Sequence, residues 1–287
     1  MSGTGDPHTV VKQELLVRYL DAWTPTVLKS HRRATYLEVS RDGSAAAALQ
    51  VFGEFADRLA GHQLELVILG APAPEGGTPP GLTVRTVTDP ETIEVPGPML
   101  AHLDLVGDSP LDEPAAWRLA TRLAEAGAEL LLTLPPVDAT LVTGHRRRLA
   151  DAGLRYAVHV ELTDDAGQAQ LLLFATAAEK HLAGFKEALW AADEYAGIRY
   201  RDPRDANGTL VDISLSPQLL PLRRELEHVL AERVECSVAE LQRHALIETI
   251  YRPADAIRVV NALVSAGKAS REPTKGRLSP RTVVRRG

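Results

Sequence analysis

Apolar runs of strand length recur over residues 35–175 with helix-length segments between most of them, until one pair is joined only by residues 163–167, Thr-Asp-Asp-Ala-Gly. This spacing fixes most of the architecture. Strands separated by helices must run parallel, because a parallel return needs a crossover of about a dozen residues or more. A link as short as 163–167 permits only an antiparallel hairpin. The expected fold is α/β, with a mostly parallel sheet that finishes in an antiparallel hairpin.

A helix over 10–28 precedes the first strand, with Leu16, Tyr19, Trp23 and Val27 at helical spacing and Pro25 as an expected kink or break near its end. Strands are expected over 35–39, 64–69, 82–87, 99–106, 128–134, 154–162, 168–175 and 198–201, and helices over 45–60, 113–126, 138–152 and 180–192. Residues 71–81, rich in Pro and Gly, read as a loop. Beyond residue 213 the pattern changes. A helix over 217–233 leads to two short ones: Ser237 opens the first, with Glu240 completing a capping box, and Pro253 opens the second, which Gly267 ends. Helix, turn, helix and a basic extension describe a small winged helix-turn-helix in outline. The expected division is a flexible N-terminus over 1–9, an α/β domain over 10–213, a connecting helix over 214–236 and a winged-helix domain with a basic tail over 237–287.

The net charge of −6 conceals an asymmetry. From Gly267 onward seven basic residues face one acid, Glu272, a net +6 that leaves −12 on the rest of the chain. A nucleic-acid contact is therefore expected at this end, where a winged helix would present Arg252, Arg258, Lys268, Arg271, Lys275 and Arg277 to phosphates. Arg281, Arg285 and Arg286 read as the basic tail. The run His145-Arg146-Arg147-Arg148 reads instead as a solvated helix face.

A single cysteine, Cys236, excludes an internal disulfide and a cysteine-based zinc site. The histidines are scattered without metal-ligand spacing, so no metal is expected. No run approaches the roughly 18 apolar residues of a membrane span, and residues 1–10 lack the basic start and apolar run of a signal peptide. A cytoplasmic protein without membrane contact is expected.

Several local patterns, in their order, resemble the three-Cys-motif partner family. They are Lys12-x-x-Leu15-x-x-x-Tyr19-Leu20-x-x-Trp23, Tyr36-Leu37-Glu38, His102-Leu103-Asp104-Leu105-Val106-Gly107 and Ala128-Glu129-Leu130-Leu131-Leu132-Thr133-Leu134-Pro135. Later come Leu173-Phe174-Ala175-Thr176, Phe185-Lys186-x-Ala188-Leu189-Trp190-x-x-Asp193 and Tyr251-Arg252-x-Ala254-x-x-Ile257. The resemblance implies a Rossmann-like, class I methyltransferase-like domain with a C-terminal winged helix, and association with a three-cysteine-motif protein. It also implies where an S-adenosylmethionine turn would lie, with Glu38, Asp42, Gly43 and Asp104 as the candidate cofactor residues.

Two departures weaken that site. The family's Gly-Pro-Gly turn is absent, and Ser40, Arg41 and Asp42 bring side chains where the backbone would have to approach a ligand. At the end of the second strand, Ile68-Leu69-Gly70-Ala71-Pro72 offers no carboxylate to ribose hydroxyls. Thr133-Leu134-Pro135-Pro136 likewise carries Leu134 where amino-methyltransferases place Asn or Asp, so no catalytic residue is assigned. The expectation is a methyltransferase-like accessory protein, without cofactor, that binds nucleic acid or a partner protein through its C-terminal domain. The alternative is an active S-adenosylmethionine-dependent methyltransferase acting on nucleic acid, for which Glu38 and Asp104 are retained.

Overall fold

The computed structural model describes residues 6–59, 61–75, 77–106, 109–193 and 197–287. The first helix, α1 (Pro7–Ser30), is capped by the Asp6 side chain, which accepts from the Thr9 N–H at 3.1 Å. Residues 7–9 of the expected N-terminal segment are thus helical, whereas residues 1–5 lie outside the described residues. The helix also continues through Pro25. Pro25 leaves the Asp21 carbonyl without a donor, and Asp21 is exposed, so water reaches that group and the helix persists.

Five strands run parallel: β1 (Arg33–Val39), β2 (Gln63–Leu69), β3 (Leu82–Val87), β4 (Met99–Asp104) and β5 (Glu129–Leu134). The hairpin of β6 (Tyr156–Thr163) and β7 (Ala169–Thr176) follows, with β7 inserted antiparallel between β5 and β6. Two short antiparallel strands, β8 (Arg199–Arg201) and β9 (Val211–Asp212), extend the edge. The order β3-β2-β1-β4-β5-β7-β6 makes this a mixed α/β fold with a large, mostly parallel, Rossmann-like sheet.

Alternate residues of each strand enter opposite layers. Tyr36, Leu66, Leu100, Leu131 and Phe174 pack with α1, α2 (Ser44–Glu54) and α5 (Glu179–Ala191). Leu37, Val67, Leu103, Leu132 and Leu173 pack with α3 (Glu113–Glu125) and α4 (Ala139–Asp151). Burial on both faces is why these strands read as nearly continuous apolar runs. The strand order reverses between β1 and β4, so a crevice opens at their C-terminal ends, where ligands of such sheets lie.

The C-terminal part contains α6 (Leu220–Glu232), β10 (Cys236–Ser237), α7 (Val238–Glu248), α8 (Pro253–Ser265), β11 (Ala269–Glu272) and β12 (Val283–Arg286). Its strands form an antiparallel sheet of order β10-β12-β11. The Ser237–Glu240 capping box forms as the sequence predicts, with both reciprocal hydrogen bonds present. The expected basic tail is corrected: Arg285 and Arg286 belong to the central strand, pinned by the fully buried Val284. No helix among the described residues is long and apolar enough to cross a membrane.

Cations from the main sheet domain hold this part in place. The last four carbonyls of α7 have no intrahelical donor, and no glycine follows to cap them. Lys186 Nζ from α5 donates to Ala245 O at 3.0 Å and Leu246 O at 2.5 Å, Arg146 from α4 donates to Ile247 O at 3.2 Å, and Arg204 donates to Glu248 O. Lys186 is fully buried and also reaches Thr249 O and Tyr251 O. Positive charge at a helix C-terminus is favoured by the helix dipole. Arg146 is therefore not on a solvated face, as the sequence run suggested. Of its neighbours, His145 packs on Trp117 and Arg148 lies over the same ring, and Arg147 and Arg148 are both exposed, as the run suggested.

Candidate functional site

The turn after β1 is held by its own side chains. Asp42 Oδ1 accepts from Ser40 Oγ at 2.7 Å and from the Ser44 N–H at 3.0 Å, and Gln13 of α1 donates to the Asp42 carbonyl at 2.7 Å. Gly43 follows at φ 91°, a left-handed conformation that glycine adopts without strain, and α2 begins. Burial works against ionisation of Asp42, but the hydrogen bonds from Ser44 and Ser40 and the nearby His102 outweigh it and hold the carboxyl below its ordinary range. Asp42 and Gly43 thus build the turn.

Glu38 is fully buried. The Tyr36 hydroxyl donates to its Oε2, and His102 Nδ1 lies 2.9 Å from its Oε1. The parallel register explains the contact, since Glu38 of β1 stands beside His102 of β4. Sequence spacing gave no sign of His102, which lies 64 positions away. Burial opposes protonation of His102, yet Glu38, Asp104 and Asp42 together raise its proton affinity above the ordinary histidine value. Stability from a raised histidine is complete below the unfolded value of about 6.5 and is lost as pH rises through the folded value. Urea midpoints of the wild type are expected to fall on going upward from about pH 6.5, and His102→Gln should flatten that slope. An unchanged slope in the variant would show that other groups set it.

Asp104 ends β4 and is buried, as is Lys12 of α1, whose Nζ lies 2.5 Å from Asp104 Oδ2. Asp104 Oδ1 also accepts from the Val106 N–H at 2.8 Å, the Asx turn that its position suggests; Gly107, the motif's last residue, lies outside the described residues. On the same sheet face stand Thr133, paired in register with Asp104, and Gln170 at the start of β7. Asp42 Oδ2, Thr133 Oγ1 and Gln170 Oε1 are buried with no hydrogen-bond partner among the described residues. The resulting crevice, lined by Lys12, Ser40, Arg41, Asp42, Asp104 and Gln170 among others, has a volume of about 240 Å³. Typical small-molecule sites run from roughly 300 to 1,000 Å³, so this one is small.

The end of β2 is covered. Gly70 adopts φ +75°, and a Cβ added there would lie 2.4 Å from Pro110 Cβ, so the loop after β4 rests directly on it. Arg41 Nε crosses from the β1 turn to the Gly70 carbonyl at 3.1 Å. The chain's own side chains therefore bridge the ground between the ends of β1 and β2. Among the described residues, no group of three or more His, Cys, Asp or Glu is arranged to hold a metal ion.

The six basic residues singled out at the C-terminal end separate into distinct roles. Arg252 is buried and bonded to Asp255 at 3.0 Å, Glu187 at 3.4 Å and the Leu215 carbonyl at 2.9 Å, which makes it a structural residue and corrects its reading as a phosphate contact. Arg258 reaches Asp255 at 3.3 Å, Lys268 lies 3.7 Å from Glu227, and Arg271 donates to the Thr274 and Gly276 carbonyls. Lys275 and Arg277 are exposed, as is Arg281, and none of the three makes an ion pair among the described residues.

No family model and no curated protein matches the sequence. Solved structures do. A Legionella pneumophila protein assigned to the family model DUF519 shares 12% identity over 61% of this chain and 86% of its own, with a TM-score of 0.38. A 16S rRNA (adenine(1408)-N(1))-methyltransferase from Catenulisporales acidiphilia shares 17% identity over 55% of this chain and 91% of its own, with a TM-score of 0.31. The CMeT domain of the citrinin polyketide synthase shares 14% over 56% of this chain and 52% of its own, with a TM-score of 0.32.

Proposed function

We propose that this protein is a methyltransferase-like accessory module that does not use S-adenosylmethionine and acts through its C-terminal part, which we read as a winged helix. The observation that carries the reading is the bridged nucleoside end of the crevice, where Arg41 spans to Gly70 under the contact of Pro110. The internal pairing of Glu38 with His102 and of Asp104 with Lys12 supports it, because both candidate cofactor carboxylates already have partners. The order α6-β10-α7-α8-β11-β12 with a β10-β12-β11 sheet supports the winged helix. By resemblance the physiological partner is a three-cysteine-motif protein, and nucleic acid is the other class that the basic end suits.

Isothermal titration with S-adenosylmethionine tests the reading. No heat beyond dilution is expected at ligand concentrations up to about 1 mM, a ceiling that corresponds to a binding free energy near −4 kcal/mol. Micromolar binding that Asp42→Ala abolishes would overturn it. The second reading, an active S-adenosylmethionine-dependent methyltransferase on nucleic acid, is favoured by one observation: Thr133 Oγ1 and Gln170 Oε1 stand without partners beside Asp104. The same titration decides between them.

A further inference from the structure

The C-terminal part has a groove that its own packing leaves unfilled. It lies between the start of α7, the middle of α8 and the segment joining β11 to β12, with a volume of about 400 Å³. Its apolar surface comes from Val238, Ile257, Leu278 and Pro280, with Gln242 and Asn261 offering amides along one side. Arg277 lines it, and Lys275 and Arg281 flank Arg277 in sequence. All three cations are exposed and without ion pairs among the described residues, unlike Arg258, Lys268 and Arg285. An apolar slot beside unpaired positive charge calls for an occupant that is apolar at one point and negative around it.

We propose that this groove docks an acidic peptide segment of a partner protein, with one bulky apolar side chain inserted between Ile257 and Leu278. The proposal rests on the accessory reading above and names the partner's chemistry. Duplex nucleic acid suits the surface less well. Reading a major groove needs the start of the second helix, and here that start is held against α5 by Arg252 with Glu187 and by Trp190 Nε1 on the Ile250 carbonyl. The exposed positions of α8 are Ala254, Arg258, Asn261, Ala262 and Ser265, a face with one cation that is already tied to Asp255. Single strands need aromatic platforms, and the sole aromatic residue from 220 onward, Tyr251, is buried. A peptide needs neither: its apolar side chain supplies burial and its acids meet the cations.

The test is a selection of displayed random peptides of about 12 residues on the full chain, counter-selected against Asn261→Trp, which fills the groove from an exposed position. Enriched peptides are expected to be net acidic with one recurring Leu, Ile or Phe. Replacing that residue by Ala should weaken binding about tenfold or more, the loss expected for one buried aliphatic side chain. Ile257→Asp and the pair Lys275→Glu with Arg277→Glu should each abolish most binding, with circular dichroism and urea midpoints verifying that the variants fold. Three results would each overturn the proposal: no enrichment over counter-selection, enriched peptides without acidic bias, or a duplex of about 20 base pairs binding more tightly than any peptide at about 0.15 M salt. Failure here with no S-adenosylmethionine heat removes only this proposal, whereas cofactor binding alongside peptide enrichment removes only the accessory reading.

Discussion

Lys186→Met should lower stability by about 3 kcal/mol, because at least three carbonyls lose a donor and each buried unsatisfied group costs about 1–3 kcal/mol. Leu246, Thr249 and Tyr251 carbonyls are the three, since Ala245 O keeps the Thr249 hydroxyl at 2.7 Å. The opposing term is the burial of an ammonium without a carboxylate, which presses its proton affinity well down and which methionine would relieve. Four carbonyl acceptors surround Nζ, so even the three N–H groups of the ammonium must share one, and a neutral amine, with two N–H groups and a lone pair, would match the site less well; the loss of donors should outweigh the relief. Urea unfolding at constant m-value measures the total, and hydrogen exchange should show the largest protection loss over residues 245–252. Arg146→Ala, at a partly buried position, should cost about 1 kcal/mol by the same measurement. Equal effects from both variants would mean that burial does not govern this helix end.

The contrast between these two residues also marks how far the sequence can be read. Most strands and helices were legible because local signals agreed with the fold: apolar runs buried on both faces, Ser237 with Glu240, and Pro253 at a helix start. Lys186 stood within a recognised pattern, yet nothing local announces that its partners lie 59 to 65 positions ahead. Arg146 sat in a run whose pattern indicated solvent, and its acceptor is 101 positions away. β12 was missed because Val283 and Val284 are a short apolar pair between Thr282 and Arg285, which only pairing with β10 and β11 turns into a strand. At the crevice, the missing glycines and the missing acid after β2 were visible as departures. What occupies their place was not, since Pro110 and Lys12 reach the site from other elements.

The second large effect is expected at that crevice. Lys12→Met should cost about 3 kcal/mol, the low end for removing one partner of a buried ion pair and leaving the other charge uncompensated. Asp104→Asn should cost a similar amount while keeping an acceptor for the Val106 N–H, so the two variants differ chiefly in which charge is stranded. With both replaced, no buried charge of this pair is left, and the loss should fall below the sum of the single losses by about 2 kcal/mol or more. An exposed pair such as Arg243 with Glu179 should show a coupling below about 1 kcal/mol. The cycle bears on function as well as stability. Strong coupling means that Lys12 occupies the electrostatic place a ligand's cation would take beside Asp104. Coupling near zero would mean that Asp104 is solvated well enough to stand alone, an open crevice in which S-adenosylmethionine would have a carboxylate to meet.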